Sequence, residues 1–357
     1  APRLPAAALL GVAAGVALYH ASFGFTGAWR RLQRERRGAG VRAQALLLAV
    51  LCTASFPLIA SGQTGAWVFP VGLASVLGAA MFGLGMQLGG GCGSGTLFTI
   101  GGGSTRMALT LFGFLMGSLA WTVSAGWWAD WPSLGAVSIM RHWGAPAAWA
   151  ATLLALGAVV WASRRIEIRA HGAVEINGVD PAGSRLFAGP WSLTVGALIL
   201  AAVGVGCFLA LGRPWGVTAA YPLWGAKLAE AVGAPVGQWA YWSGGRLEQS
   251  IFADATSVMN FGIMLGALAA SGAAGRFAPT LRLGFRDAWT AILGGLLMGY
   301  GARLAHGCNI GGLIGGVASG SLHGWSWLLF GALGSVAGVW ARQRLGMDPP
   351  PPPRAAR

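Results

Sequence analysis

Residues 43 to 105 contain no Asp, Glu, Lys or Arg. A helix needs about 20 apolar residues to cross the hydrocarbon core of a bilayer, so this stretch holds two spans with chain left over. Further uncharged runs cover 107–129, 142–163, 186–212, 255–275, 288–302 and 304–341. The whole chain is 10% charged and 55% hydrophobic over 357 residues, whereas a soluble domain carries roughly 25% charged residues. The runs predict an all-α integral membrane protein with about nine spanning helices, plus segments too short to cross. The apolar start, "LPAAALLGVAAGVALYH", has only Arg3 as a basic flank and does not read as a cleavable signal.

The net charge of +14 sits in short segments between the apolar runs: 30–42, 164–169, 276–286 and 342–344. Basic loops of this kind are held on the cytoplasmic side of a membrane, and this placement argues against a nucleic-acid partner. The tail, 346–357, is Pro-rich and reads as disordered or extended.

The chain repeats itself. Shifted by 216 residues, "LASVLGAAMFGLGMQLGGGCGSGTL" (73–97) matches "WTAILGGLLMGYGARLAHGCNIGGL" (289–313), aligning Gly78 with Gly294, Gly85 with Gly301 and Cys92 with Cys308. A weaker match pairs "FGFTGAW" (23–29) with residues 214–220, joining Gly24 to Gly216 and Thr26 to Thr218. The expected organisation is a first membrane repeat at 1–170, a connecting loop at 171–189, a second repeat at 190–345 and the tail at 346–357. Loop charge orients the repeats. Six arginines lie in 30–42, but the equivalent 224–235 has one Lys and one Glu; 61–65 is uncharged, but its counterpart 276–286 has three arginines. Equivalent loops therefore face opposite sides, and the repeats are inverted.

Each repeat surrounds one thiol with glycine. Non-helical backbone at membrane depth survives only where protein buries it or a cavity solvates it, and glycine permits that geometry and a close approach. In "GGGCGSG" a helix is expected to end near Gly89 and a short one to restart beyond Gly95; "HGCNIGG" repeats the plan, with Asn309 as a turn residue. Short helices meeting at mid-depth aim free N–H groups and positive dipole ends at an anion. Close helix packing explains most of the 60 glycines, but less well a thiol at the same place in both repeats. Two thiols with few His or carboxylates nearby make a poor metal site, and a disulfide between them stays open. A thiol is also a weak, uncharged S–H donor, suited to a sulfur-containing anion that must leave again. Cys52 and Cys207 lie in ordinary apolar runs and read as packing.

"LGGGCGSGTL" and "GARLAHGCNIGGL" resemble the paired signatures of the YeeE/YedE sulfur-transport family over residues 10 to 341. The resemblance implies an hourglass of inverted halves in the bacterial inner membrane and uptake of a small sulfur anion, thiosulfate above all. The anion would be passed along by S–H···S contacts at Cys92 and Cys308. Binding residues implied or read alongside are Gly91, Gly93, Gly307, Asn309, Arg303, Gly24 and Thr26. A cytoplasmic sulfur carrier of the TusA type is a candidate partner; no cofactor and no enzymatic step are expected. This chain departs from the family at "FGFTGAWR", where Gly24 stands in place of a third cysteine. Two other functions stay open: a sensor that reports anion occupancy, and a membrane sulfurtransferase carrying persulfide on Cys92 or Cys308. Arg303 either balances anion charge or snorkels to the interface, and Arg106 either attracts anions or ends a segment.

Overall fold

A bilayer offers no water to backbone amides, so spanning segments satisfy them internally as helices. In the computed structural model, which describes residues 3–175, 187–279 and 282–348, the first half contains α1 (Arg3–His20), α2 (Phe25–Glu35), α3 (Ala39–Ala60), β1 (Pro70–Gly72), α4 (Leu73–Gly89), α5 (Gly93–Gly101) and α6 (Thr105–Ala129). Then come β2 (Ser133–Ala136), which pairs antiparallel with β1, and α7 (Ile139–Trp143) and α8 (Ala145–His171). The second half contains α9 (Leu193–Gly206), extended by a π-helical turn at Cys207–Leu211, then α10 (Tyr221–Ala231), α11 (Ala255–Ala273) and α12 (Phe285–Leu304). A second π-helical stretch, Asn309–Ile314, runs into α13 (Gly315–Ala318), and α14 (Leu322–Arg344) closes the chain. Most of the connecting segment 171–189 and residues 349–357 of the tail lie outside the described residues.

Eight helical segments among the described residues are long and apolar enough to cross a membrane. The ninth long helix, α12, has 20 residues but carries Arg286, Asp287 and Arg303, which lowers its apolarity while leaving it about 30 Å long. Residues expected to follow a break up to Gly95 are already helical from Gly93 onward, because Cys92 caps the helix earlier than the glycines suggest.

The helices pack in two matched sets. α1 packs on α11 and α9 on α3; α12 packs on α6 and α14 on α4. The homologous helices α4 and α12 also pack on each other, Gly78 against Gly301 and Gly85 against Gly294. Since the numbering runs oppositely along the two helices, they are antiparallel, and the axis relating them is perpendicular to both. That is the geometry of inverted halves. A Cβ on Gly85 would stand 2.7 Å from the Gly294 carbonyl oxygen, and one on Gly301 would stand 2.6 Å from that of Gly78. Lipid supplies no hydrophobic drive between helices, so this backbone approach, and the van der Waals contact it allows, is what joins the halves. A branched side chain at Gly85 or Gly294 would part them.

The basic segments share one face. The Glu167 carboxylate, buried on α8, accepts from Arg42 (2.6 Å), Arg37 (3.3 Å) and the backbone N–H groups of Gly38 and Glu175. Arg34 and Arg342 both pair with Asp348, and Arg286 donates to the carbonyls of Leu345 and Gly346. Residues 346–348, expected to belong to a loose tail, are therefore bound to this basic face. The uncharged turn at 61–65 lies at the far end of α3, held by Gly65 N–H to the Gly212 carbonyl (3.0 Å).

Candidate functional site: paired thiols between two cavities

Both thiols stand where a long helix stops and a short one begins. α4 ends at Gly90, whose φ of +89° turns the chain at little cost for a residue without Cβ. The carbonyls left open there are taken by Arg106, which donates to Gly89 (2.6 Å) and Leu88 (2.8 Å) and to Thr290 Oγ1 (3.2 Å). Arg106 thus ends a segment. Cys92 is then the N-cap of α5: its Sγ accepts from Gly95 N–H at 3.4 Å, and Ser94 Oγ lies 3.7 Å from the sulfur.

The second half repeats the construction. α12 gives way to His306 and Gly307, both at positive φ (53° and 149°), and the Gly307 carbonyl accepts from Trp327 Nε1 at 3.1 Å. Cys308 then takes the N-cap position of the helical stretch from Asn309, without the sulfur–amide hydrogen bond that Cys92 accepts, and with φ −91° and ψ −165° against −84° and −169° for Cys92. The two cysteines have nearly the same backbone shape.

The two breaks meet. A Cβ on Gly93 would lie 3.0 Å from Cys308 Sγ and 3.2 Å from the Thr218 methyl. Cys92 and Cys308 are thus neighbours at the meeting of two short helices, and both thiols are free, which removes the disulfide alternative for this state. The Tyr221 hydroxyl reaches the Gly93 carbonyl at 3.5 Å, and its ring edge packs on Phe114 with centroids 4.7 Å apart. Asn260 Nδ2 donates to the Val217 carbonyl (2.9 Å), fixing the strand of chain that carries Thr218.

Several buried polar atoms here are left unpaired among the described residues: both amide atoms of Asn309, Thr26 Oγ1 and Asn260 Oδ1. Each such group costs about 1–3 kcal/mol unless something else satisfies it. Of these, Asn309 Nδ2 and the Thr26 hydroxyl can donate, while the Asn309 and Asn260 amide oxygens can only accept.

A cavity opens toward each face. On the basic side about 330 Å³ is lined by residues including Gly24, Gly27, Ala28, Arg31 and Gln44. On the opposite side about 310 Å³ is lined by residues including Ser75, Trp121, Trp128, Arg303 and His306. His306, in the wall of the second cavity, precedes Cys308 by two residues, and Gly24, in the wall of the first, precedes Thr26 by two.

Of the residues singled out in the sequence, Cys92, Gly93 and Cys308 come together, and Asn309 and Thr26 are buried near them. Gly91 and Gly307 shape the breaks: Cβ atoms there would crowd the amides of Thr96 and Gly312. Gly24 is in the basic-side cavity wall with nothing within 4 Å of a Cβ built on it. Arg303 is in the opposite cavity, its guanidinium 5.1 Å from the Trp121 ring, rather than beside the thiols. His306 stacks on Phe69, centroids 4.9 Å apart and 9° between planes. Cys52 and Cys207 are buried in the core, Cys207 Sγ lying 3.9 Å from Met259 Sδ. Sequence reasoning missed Tyr221 and Trp327. Their only signal was an aromatic side chain among small residues, in "AAYPLW" and "GWSW".

These features define a multi-pass membrane protein built from inverted halves around a thiol-lined waist. The family model described as "Sulphur transport" matches residues 20–337, and the chain belongs to that family. It is 24% identical to the thiosulfate transporter TsuA of Escherichia coli K12, over 93% of this chain and 92% of that protein. Against the thiosulfate transporter TsuA of Spirochaeta thermophila it is 26% identical, over 74% of this chain and 76% of that one. The probable transporter YedE of Escherichia coli K12 is 32% identical over 36% of this chain. That match spans about a third of YedE's length, 32%.

Proposed function

We propose that the protein carries a small sulfur-containing anion, thiosulfate above all, across the bacterial inner membrane. The observation that carries this reading is the waist: two neighbouring thiols at the N-termini of short helices, with Asn309 Nδ2 and the Thr26 hydroxyl buried and unpaired among the described residues. Thiosulfate has hard sulfonate-like oxygens and one soft terminal sulfur. Asn309, Thr26 and helix amides suit the oxygens, while Cys92 and Cys308 offer S–H groups to the soft end. Neutral donors hold a dianion loosely, which transport requires. Arg303 in the opposite cavity supplies positive potential that draws anions toward that mouth, whereas Arg31 in the basic-side cavity is already paired with Glu35 and Glu175. The relatives named thiosulfate transporters support the choice of cargo.

Residues 1–170 and 190–345 are then the two halves of one carrier, joined by 171–189, and a sulfur carrier protein of the TusA type would take the cargo on the basic, cytoplasmic face. The test is uptake of labelled thiosulfate into proteoliposomes, with sulfate, sulfite and selenite as competitors. Thiosulfate should accumulate and compete best with itself. Absence of uptake of every sulfur anion would contradict transport, and a persulfide trapped on Cys92 or Cys308 during turnover would favour a sulfurtransferase.

A further inference from the structure

Beyond the waist, the basic face holds a second anion-binding arrangement, at present filled by the protein itself. Asp348 sits in a fork of arginines. Arg342 Nε donates to both its carboxylate oxygens (3.0 and 3.2 Å), Arg342 Nη2 to Oδ1 (2.6 Å), and Arg34 Nη1 lies 3.1 Å from Oδ2. The Asp348 side chain is only 6% exposed, and Arg342 as a residue 8%. Arg30 is near enough to interact with Arg34, Arg342 and Asp348, and Arg106 with Arg30 and Arg342. Glu35 also lies near Arg30 and Asp287 near Arg106, but Asp348 is the carboxylate held directly in the Arg342–Arg34 fork.

The fork is linked to the first half through Gln87. Arg342 Nη1 donates to the Gln87 carbonyl (2.7 Å), and Gln87 Nε2 donates to the Thr26 carbonyl (3.2 Å) and to Ser335 Oγ (2.9 Å). Gln87 is on the last turn of α4, just before the Cys92 break, and Thr26 belongs to the segment lining the basic-side cavity. An arginine whose fork faces a carboxylate is equally matched to two oxygens of a sulfur oxyanion.

We propose that Arg342 and Arg34, with Arg30 beside them, form a second oxyanion site on the basic face, which the Asp348 carboxylate and a sulfur oxyanion occupy in turn. The inference rests on the reading of the protein as a sulfur-anion carrier. Asp348 acts as a tethered competitor: it pairs with Arg342 and Arg34 while no external anion is bound, and yields them to an anion that reaches the basic face.

The test reads binding rather than flux. Detergent-purified full chain is titrated with sodium thiosulfate, and in parallel with sodium sulfate, against sodium chloride of matched ionic strength, following thermal stabilisation. A tethered group competes at an effective concentration on the order of millimolar, so Asp348→Asn should lower the half-saturating thiosulfate concentration by about tenfold. Adding Arg342→Gln should abolish the shift, whereas adding Cys308→Ala should leave it, which separates this site from the waist. An unchanged half-saturation in D348N, or a shift that survives R342Q, overturns the proposal. If D348N does not fold, Asp348→Glu keeps the charge but misplaces it, and should give a smaller shift in the same direction; no shift overturns the proposal. If the wild type carries no sulfur anion at all, the carrier reading fails by the uptake assay while this titration still reports on the arginine site.

Discussion

Gly93 and Cys308 belong to different halves of the chain, yet a Cβ on Gly93 would stand only 3.0 Å from the Cys308 sulfur. The short helix α5 can begin here only because its first residue has no side chain. Gly93→Ala should therefore push on the Cys308 thiol and the Thr218 methyl together. Overpacking of this sort costs about 1–3 kcal/mol, so the variant should fold with a reduced melting temperature and lose most of its thiosulfate uptake. Gly27→Ala, which meets nothing within 4 Å, is the control for a glycine change that spares the waist; melting curves should separate the two variants.

Gly24 is the converse case. Its Cβ position is open and it lines the basic-side cavity, so Gly24→Cys should be accommodated without loss of stability. Placed there, a thiol would add a third soft donor in the wall of that cavity. Uptake of thiosulfate should be maintained or raised, measured as initial rate at subsaturating substrate. A variant that folds normally but loses uptake would show that this cavity is not on the route.

Membrane orientation follows from the shared basic face. Single cysteines introduced into 30–42 and 276–286 of a thiol-depleted background should be labelled from the cytoplasmic side only. Those placed in 61–65 should be labelled from the opposite side. Labelling of 30–42 from outside would contradict the inverted arrangement.

Asp348 provides a pH dependence outside the spans. Burial opposes its ionisation, but hydrogen bonds from Arg342, and the charges of Arg342, Arg34 and Arg30, outweigh that and hold the carboxyl below its ordinary value. A group depressed in the folded state adds stability that is present above its unfolded pKa, near 3.9, and is lost as pH falls through the folded one. The melting temperature of the wild type should therefore drop more steeply below about pH 4 than that of Asp348→Asn. Parallel curves would show that the ion pairs add nothing measurable.

Much of this was legible in the sequence for physical reasons. A bilayer forces uncharged runs of fixed length, so the two spans within 43–105 announced themselves, and the 216-residue offset exposed the repeat. Cys92 and Cys308 stood out because glycine surrounds a thiol twice. What composition does not encode is which side chain reaches where. Arg106 looked as suited to anions as Arg303, yet it closes the end of α4 on the carbonyls of Leu88 and Gly89. Arg303 reaches a tryptophan in the opposite cavity. Asp348 sat next to a polyproline run and read as tail, because its arginine partners are distant in the chain: Arg34 lies over 300 residues upstream. Tyr221 has no motif around it, and becomes part of the waist only when α10 folds against α6.

Transport through the waist requires that its thiols act on the cargo. The direct measurement is the initial rate of labelled thiosulfate uptake into proteoliposomes containing wild type, Cys92→Ala, Cys308→Ala, and the buried-core controls Cys52→Ala and Cys207→Ala. Removing a small neutral group should leave all four variants folded. Loss of a contact made in the rate-limiting step should slow Cys92→Ala and Cys308→Ala by tenfold or more, corresponding to about 1.4 kcal/mol or more. Cys→Ser should rescue poorly, a hydroxyl being a harder donor. The core controls should transport at wild-type rates. Wild-type uptake by folded Cys92→Ala and Cys308→Ala would contradict the account, leaving the paired thiols as packing residues.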